Sequence, residues 1–365
     1  MNKPLITFII GTRPEAIKLA PLIIRFKACQ KIKIRILLTG QHIYMVSQVL
    51  KIFKLKGDHN LKSMKKNQSL SHIINATLKG LEQDFSLYKP NLVILQGDTS
   101  TAFGAALAAF HNKIPIAHVE AGLRTDDLKN PYPEEANRRL ISQISDLNFA
   151  PTKLAADNLR RSDINGQISV TGNTVVDAVK MISERYELKT IKNNVRYLLV
   201  TIHRRENWEE GIKNISYALK DILNSHKDLN LVLPLHKNEI VRNQIIKILG
   251  GHPRIQLTEP MDYIEFIDKL KNCYFVMTDS GGLQEEAPIF GKPILILRET
   301  TERQEGILSK NAKLIGVKKE NIFKEAHNLL TNKNLYEEMS KSRNTYGDGN
   351  ACKRILEKVV NYLDL

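Results

Sequence analysis

Asp279-Ser280-Gly281-Gly282 is the most informative short stretch of the chain, because it follows an apolar run and precedes a helical pattern starting near Leu283. Adjacent glycines at such a turn let backbone N–H groups converge on a pyrophosphate. Glu286 falls one helical turn further on, where a carboxylate can accept hydrogen bonds from ribose hydroxyls. An ordinary strand–helix turn has the same pattern. Gly11-Thr12-Arg13-Pro14-Glu15 is built alike after the first apolar run. Gly11 permits a tight turn, Pro14 suits a first helical turn, and Arg13 stands where an anion meets helix-terminal N–H groups.

Asp98, Glu120 and Glu134 each fall at or just after the end of an apolar run in the first half, within Gly97-Asp98-Thr99, His118–Arg124 and Pro133-Glu134-Glu135. Convergent carboxylates raise one another's pKa values, which suits at least one of them to proton transfer near neutral pH. Each also has a bland explanation: Asp98 can cap a helix, and Glu134 sits in a first turn, where acids are favoured. His203, within His203-Arg204-Arg205-Glu206-Asn207, and His236 end strands in the second half, where a histidine is often plain structure. Arg138 shares a helix with Glu134.

The elements that must position these residues alternate almost from end to end. Apolar runs at 5–10, 34–39, 92–96, 114–119 and 146–150 read as buried strands, with helical periods at 15–29, 42–53, 69–87 and 99–111 between them. The second half repeats the scheme, with strands expected at 197–202, 230–235, 254–257, 274–278, 293–297 and 313–317. Such alternation demands right-handed crossovers, hence an α/β fold of two Rossmann-like, doubly wound parallel-sheet domains, with ligands beyond the carboxyl ends of the strands and the two domains facing a cleft. The expected domains are 1–172, with the candidate carboxylates, 173–345, with the candidate pyrophosphate turn, and a C-terminal helix in 346–365 packing back on the first. The boundary is expected between about 170 and 196, through a helix at 174–186 and the polar stretch 189–194.

Bulk properties narrow the classes. At 365 residues the chain is long for one core and suits two domains. Its three cysteines, Cys29, Cys273 and Cys352, are far apart and odd in number, which argues for a reducing compartment and against a disulfide framework. The first apolar run is too short for a signal sequence and no stretch reaches membrane-spanning length, so a cytoplasmic protein without membrane insertion is expected. The net charge of +15 favours anionic partners. Lysines such as Lys62, Lys65 and Lys66 are nevertheless dispersed, aromatics make up only 6%, and no nucleic-acid motif is present, so no nucleic-acid function is expected. No G-x-G-x-x-G follows a strand and no G-x-x-x-x-G-K-[ST] occurs, which disfavours a dinucleotide site and a P-loop.

Together the motifs resemble those of the non-hydrolysing UDP-N-acetylglucosamine 2-epimerases, a family with the two-domain GT-B architecture. The likeness runs through residues 11–18, 41–42, 97–99, 118–125, 133–138, 203–206, 279–286, 300–303 and 346–349, and HVEAGLRT and DSGGLQEE are its most specific segments. The resemblance implies interconversion of UDP-N-acetylglucosamine and UDP-N-acetylmannosamine with no cofactor and no metal, a product used for surface polysaccharide, and a homodimer. It implies that Arg13 neutralises the diphosphate, that Ser280, Gly281 and Gly282 donate hydrogen bonds to it, that Glu286 holds the ribose and that Phe266 lies near the uracil. Lys18, Asp98, Glu120, Glu134, His203 and Arg303 would surround the sugar and its leaving group, with Arg138 also on the substrate. Met261 departs from the pattern, standing where relatives can have Gln. Gln41, His42, Gln68, Arg204 and His236 match positions of a second, activating UDP-sugar site in bacterial relatives, while Asn67 stands where some have Arg.

Other readings share parts of this pattern. A GT-B glycosyltransferase would share the fold and nucleotide site but needs an acceptor surface, and a hydrolysing epimerase would release free N-acetylmannosamine and UDP. A sugar-nucleotide sensor would bind and turn nothing over.

Overall fold

Short apolar strands that helices cover on either side make the centre of the first unit's sheet, with more polar strands at its edges. In the computed structural model the strands of this unit are β1 (Leu5–Ile10), β2 (Lys33–Leu38), β3 (His59–Asn60), β4 (Leu92–Gln96), β5 (Ile116–Val119), β6 (Leu147–Ala150) and β7 (Gln167–Val170). The structure describes residues 3–365 except 64, 66, 67, 126, 189–195, 205, 206, 237, 342 and 343. The seven strands form one sheet in the order β3-β2-β1-β4-β5-β6-β7, with every pairing parallel. Strand order reverses between β1 and β4, the switch point at which doubly wound sheets open a crevice.

Between β4 and β5 runs the helix Ser100–His111, rich in alanine. Its small residues let it lie close to the helix Leu70–Leu87: a Cβ on Gly104 would come within 3.0 Å of the Ile74 carbonyl oxygen. Ala102, Ala105, Ala108 and Ala109 thereby join Leu81, Phe85, Val93, Leu95 and Ile116 in one buried cluster.

The second unit carries β8 (Arg196–Thr201), β9 (Leu229–Pro234), β10 (Ile255–Thr258), β11 (Val276–Thr278), β12 (Ile294–Ile296) and β13 (Ala312–Leu314). They make a six-stranded sheet in the order β10-β9-β8-β11-β12-β13, again wholly parallel. Its switch point lies between β8 and β11. Leu198, Val200, Leu231, Leu233 and Met277 of the strands pack with Ile212, Ile215, Leu219 and Ile245 of the helices.

The two units comprise Met1–Met181 with Tyr346–Leu365, and Ile182–Thr345. The chain thus leaves the first unit inside the helix Thr174–Arg185 and returns at Tyr346. The last helix, Ala351–Tyr362, buries Ala351, Cys352, Ile355 and Val359 in the first unit and packs on the helix Arg13–Lys27. The Asp177 carboxylate accepts from the backbone N–H groups of Ala351 (3.2 Å) and Cys352 (3.0 Å), capping that helix across 174 residues of sequence.

Two independent alternations of strand and helix, each wound about its own switch point, answer to the fold class expected from the sequence. The strands β3 and β7 were not anticipated. The first has only two residues, and β7 is an edge strand whose ends, Gln167 and Val170, are exposed, so neither has an apolar run to betray it. The polar stretch 189–194, expected at the domain boundary, lies outside the described residues.

Candidate functional site

At the switch point of the first sheet, the turn after β1 meets the turn after β4. Glu15 ties them together. One of its carboxylate oxygens accepts from the backbone N–H groups of Gly11 (2.5 Å) and Thr12 (3.0 Å), and the other accepts from the Thr99 hydroxyl (2.6 Å). Thr99 in turn caps the next helix through Ala102 N–H (3.0 Å). Burial pushes the Glu15 carboxyl up, against the pull of these donors. Gly11 has to be glycine here, since a Cβ would fall 2.5 Å from the Thr101 methyl. Arg13 opens the helix Arg13–Lys27 directly beyond this turn.

Asp98 is held from the helix Glu134–Ile144. Arg138 donates to one Asp98 carboxylate oxygen from Nε (2.9 Å) and Nη2 (2.5 Å), and Asn137 donates to the Asp98 carbonyl (2.9 Å). Glu135, fully buried, accepts from Arg138 Nη1 (2.9 Å), Arg139 Nε (2.7 Å) and Thr125 N–H (3.0 Å). Arg138, expected on the substrate, is buried and faces Asp98 and Glu135. Beside it Glu134 is half-buried at the start of the helix.

Glu120 follows β5 in a left-handed conformation, φ 66°, a strained position for a side-chain-bearing residue that is often met at functional sites. The Lys18 ammonium donates to its carboxylate, and Asn173 Nδ2 donates to the same oxygen (3.1 Å). All three side chains are buried. His118, two residues earlier, is fully buried and donates from Nε2 to the Gly97 carbonyl (2.7 Å). Burial lowers its imidazole to about 4, so the ring is neutral.

Gln41, His42 and Gln68 also belong to the first unit. Thr101 donates to the Gln41 side chain and His42 N–H donates to the Gly11 carbonyl (3.0 Å), so these two lie against the turn that precedes Arg13. Gln68 accepts from Lys65 N–H (3.1 Å). Asn67 lies outside the described residues.

At the second switch point Asp279 is the organising residue. It is fully buried, and its carboxylate accepts from His203 N–H (2.9 Å), Arg204 N–H (2.9 Å) and Asn207 Nδ2 (2.9 Å). The turn after β8 is thereby moored to the end of β11. His203 is exposed, and its ring lies 5.4 Å from that of His236. His236 accepts Asn238 N–H at Nδ1 (3.0 Å), and burial lowers its pKa against the opposing charge of Asp279. Arg205 and Glu206 lie outside the described residues.

The helix after β11 is Gly281–Glu286, two residues longer at its start than the expected beginning near Leu283. Gly281 and Gly282 are therefore first-turn residues, whose N–H groups have no partner within the helix. Ser280 N–H donates to the Thr278 hydroxyl (2.9 Å). The Arg303 guanidinium crosses the backbone at Gly281, where a Cβ would meet Nη1 at 2.5 Å. Arg303 is fixed there by Glu285 (2.7 Å) and Glu302, and Glu302 also accepts from the fully buried Arg298 (3.0 Å) and lies 3.8 Å from Arg204. Glu286 accepts from the Tyr263 hydroxyl (2.7 Å). Phe266, one helical turn from Tyr263, is half-buried, and Met261 is buried.

Sequence reasoning missed Asn173, Tyr263, Asn137 and the holding roles of Glu15, His118 and Asp279. His118 and Asp279 left a sequence signal, each a polar residue inside or ending an apolar run, and so did Glu15, since Thr12-Arg13-Pro14-Glu15 has the spacing of a helix capping box. Among the described residues no group of three or more His, Cys, Asp or Glu side chains could hold a metal ion, and no helix is long and apolar enough to cross a membrane.

Comparison with known proteins adds an independent line. The profile of the UDP-N-acetylglucosamine 2-epimerase family matches residues 25–360. UDP-N-acetylglucosamine 2-epimerase of Campylobacter jejuni is 44% identical, over 98% of this chain and 97% of its own. Among solved structures, UDP-GlcNAc 2-epimerase from Neisseria meningitidis bound to UDP-GlcNAc superposes with a TM-score of 0.95 at 41% identity, covering 98% of this chain and 100% of that one. UDP-GlcNAc 2-epimerase of Methanocaldococcus jannaschii in complex with UDP-GlcNAc and UDP gives 0.87 at 32% identity, covering 98% and 99%. With the fold, the motifs and full-length similarity in agreement, the chain belongs to the UDP-N-acetylglucosamine 2-epimerase family.

Proposed function

We propose that this protein interconverts UDP-N-acetylglucosamine and UDP-N-acetylmannosamine without hydrolysing either. The observation that carries the reading is the pair of switch points: Asp98 and Glu120 stand beyond the strand ends of one sheet beside Arg138 and Lys18, and Ser280, Gly281 and Gly282 follow β11 in the other. Relatives solved with UDP-GlcNAc support the same ligand here.

The C2 hydrogen of the sugar is not adjacent to a carbonyl, so simple deprotonation is too difficult. A carboxylate among Asp98, Glu120 and Glu134 takes the C2 proton. The C2–H electron pair becomes the C1=C2 bond, and the C1–O bond breaks with its electrons leaving on UDP. The intermediate is 2-acetamidoglucal. Re-addition of the UDP oxygen to C1, with a proton delivered to the other face of C2, inverts that carbon. Arg13, the Ser280 hydroxyl, the N–H groups of Gly281 and Gly282, and Arg303 and His203 offset the charge on the leaving diphosphate. Glu286 takes the ribose, Phe266 lies by the uracil, and Lys18 and Arg138 orient the acids. Exclusion of water protects the glycal. Gln41, His42, Gln68, Arg204 and His236 are assigned to a second, activating UDP-sugar, and the working form to a cytoplasmic homodimer that supplies UDP-N-acetylmannosamine for surface polysaccharide.

Incubation with UDP-N-acetylglucosamine alone, without NAD and after exhaustive chelation of metals, tests this reading. The expected outcome is an equilibrium mixture of the two UDP-sugars. Stoichiometric release of free N-acetylmannosamine and UDP would assign the protein to the hydrolysing class. A requirement for restored Mg²⁺ would overturn the metal-free mechanism.

A further inference from the structure

Glu120 gathers its partners from distant parts of the chain. Its carboxylate receives Lys18 from the helix Arg13–Lys27 and Asn173 from the start of the helix Thr174–Arg185. The Asn173 amide has its orientation fixed by a second bond: Oδ1 accepts Val175 N–H (3.0 Å), which leaves Nδ2 as the group turned to Glu120. Asparagine is well suited to bond a backbone N–H two residues on while offering a donor elsewhere.

The backbone of Asn173 is no freer than its side chain. Its N–H donates to the Tyr346 carbonyl (2.8 Å), at the point where the chain returns to the first unit. The neighbouring glycines pack against each other: a Cβ on Gly347, whose φ is 126°, would meet the Gly172 Cα at 3.1 Å. The outgoing and returning segments are thus fastened together where Asn173 touches Glu120. Burying a charged pair such as Lys18–Glu120 is poor value for stability alone, since desolvation offsets the Coulombic gain. The neutral donor of Asn173 satisfies a further lone pair of that buried carboxylate at no such cost.

We propose that Asn173 is a positioning residue for the proton-transfer step: it sets the Glu120 carboxylate against Lys18 from the place where the outgoing and returning chain are tied together. The inference rests on the reading of Glu120 as a proton-transfer group.

The test uses full-length variants. In Asn173→Ser the hydroxyl can still cap Val175 N–H but is too short to reach Glu120. In Asn173→Asp the cap and shape remain while the donor to Glu120 becomes an acceptor. The serine should keep the thermal midpoint close to wild type, whereas the aspartate, which sets a second buried carboxylate against Glu120, should lower it. Both should leave KM within about twofold, while kcat falls by about ten- to hundredfold, as misplacement of a reacting group predicts. The aspartate should be at least as impaired as the serine, despite its closer shape. In a Glu120→Gln background, Asn173→Ser should add almost nothing to the loss, because residues acting through one another are not additive. Wild-type kcat in either Asn173 variant, a loss that appears in KM instead, or full additivity with Glu120→Gln overturns the role of Asn173. Full activity of Glu120→Gln by itself would instead remove the reading of Glu120 on which the inference stands.

Discussion

His118 shows how a residue can serve a site without facing a ligand. Its Nε2 proton is committed to the Gly97 carbonyl, which steadies the left-handed Gly97 (φ 75°) immediately before Asp98. The unfolded chain takes up a proton on this ring near its ordinary value of 6.5, whereas the buried ring does so only at about 4. Between those values the unfolded state binds more protons, so stability falls as pH falls, and the contribution is intact above the upper value. His118→Asn removes this linkage. The wild-type-minus-variant difference in unfolding free energy should therefore shrink by roughly 3 kcal/mol between about pH 7 and about pH 4. Glu15, whose carboxyl is raised by burial, acts in the opposite sense in an overlapping range, and taking the difference cancels it. Denaturant titrations across that range measure the effect, and a pH-independent difference would show that His118 is not held neutral. At this scale the sequence made the chemistry-bearing types legible, as in the Gly11–Glu15 and Asp279–Gly282 turns. It could not reveal their partners, because Asp279 and His203 are 76 residues apart and Arg138 and Asp98 are 40 apart.

Elements were legible where burial wrote a pattern. The apolar run of β4, buried along its whole length, announces itself, and so does the last helix, whose buried face recurs at Ala351, Cys352, Ile355 and Val359. The edge strand β7 was illegible because half its residues meet solvent, and the start of the helix Gly281–Glu286 was placed late because glycine is a poor helix former that only the site environment holds in a first turn. The attachment of the last helix is likewise a tertiary matter. Its first turn is capped by Asp177, from another helix, in place of its own preceding residue. Asp177→Ala should cost about 1–2 kcal/mol, as loss of an N-cap does, and raise hydrogen exchange at the start of the last helix. Unchanged unfolding free energy together with unchanged exchange at Ala351 and Cys352 would mean that packing of Ile355 and Val359 alone secures it.

In each unit candidate residues stand beyond the carboxyl ends of the two strands that flank a reversal of strand order: Arg13 and Asp98 after β1 and β4, His203 and Ser280 after β8 and β11. The proposed labour is divided accordingly: proton-transfer groups in the first unit, the diphosphate cradle in the second. Elimination and re-addition need both, and they leave an isotopic record. A carboxyl that has taken the C2 proton exchanges it with solvent before returning it, so turnover in D₂O should place deuterium at C2 of the product, with the C1–O bond to UDP broken and remade. Asp98→Asn, Glu120→Gln and Glu134→Gln each replace a titrating group by an amide of similar shape. Each should lower turnover by about a hundredfold or more, the usual scale for a general acid or base, while UDP binding measured by calorimetry stays close to wild type. At least one should also release 2-acetamidoglucal and UDP, since slower re-addition gives the intermediate time to escape. His203→Ala should slow turnover too, by loosening the hold on the leaving phosphate. Retention of the original hydrogen at C2 in D₂O would point to internal return or a hydride route, and full activity in all three carboxylate variants would make these acids structural.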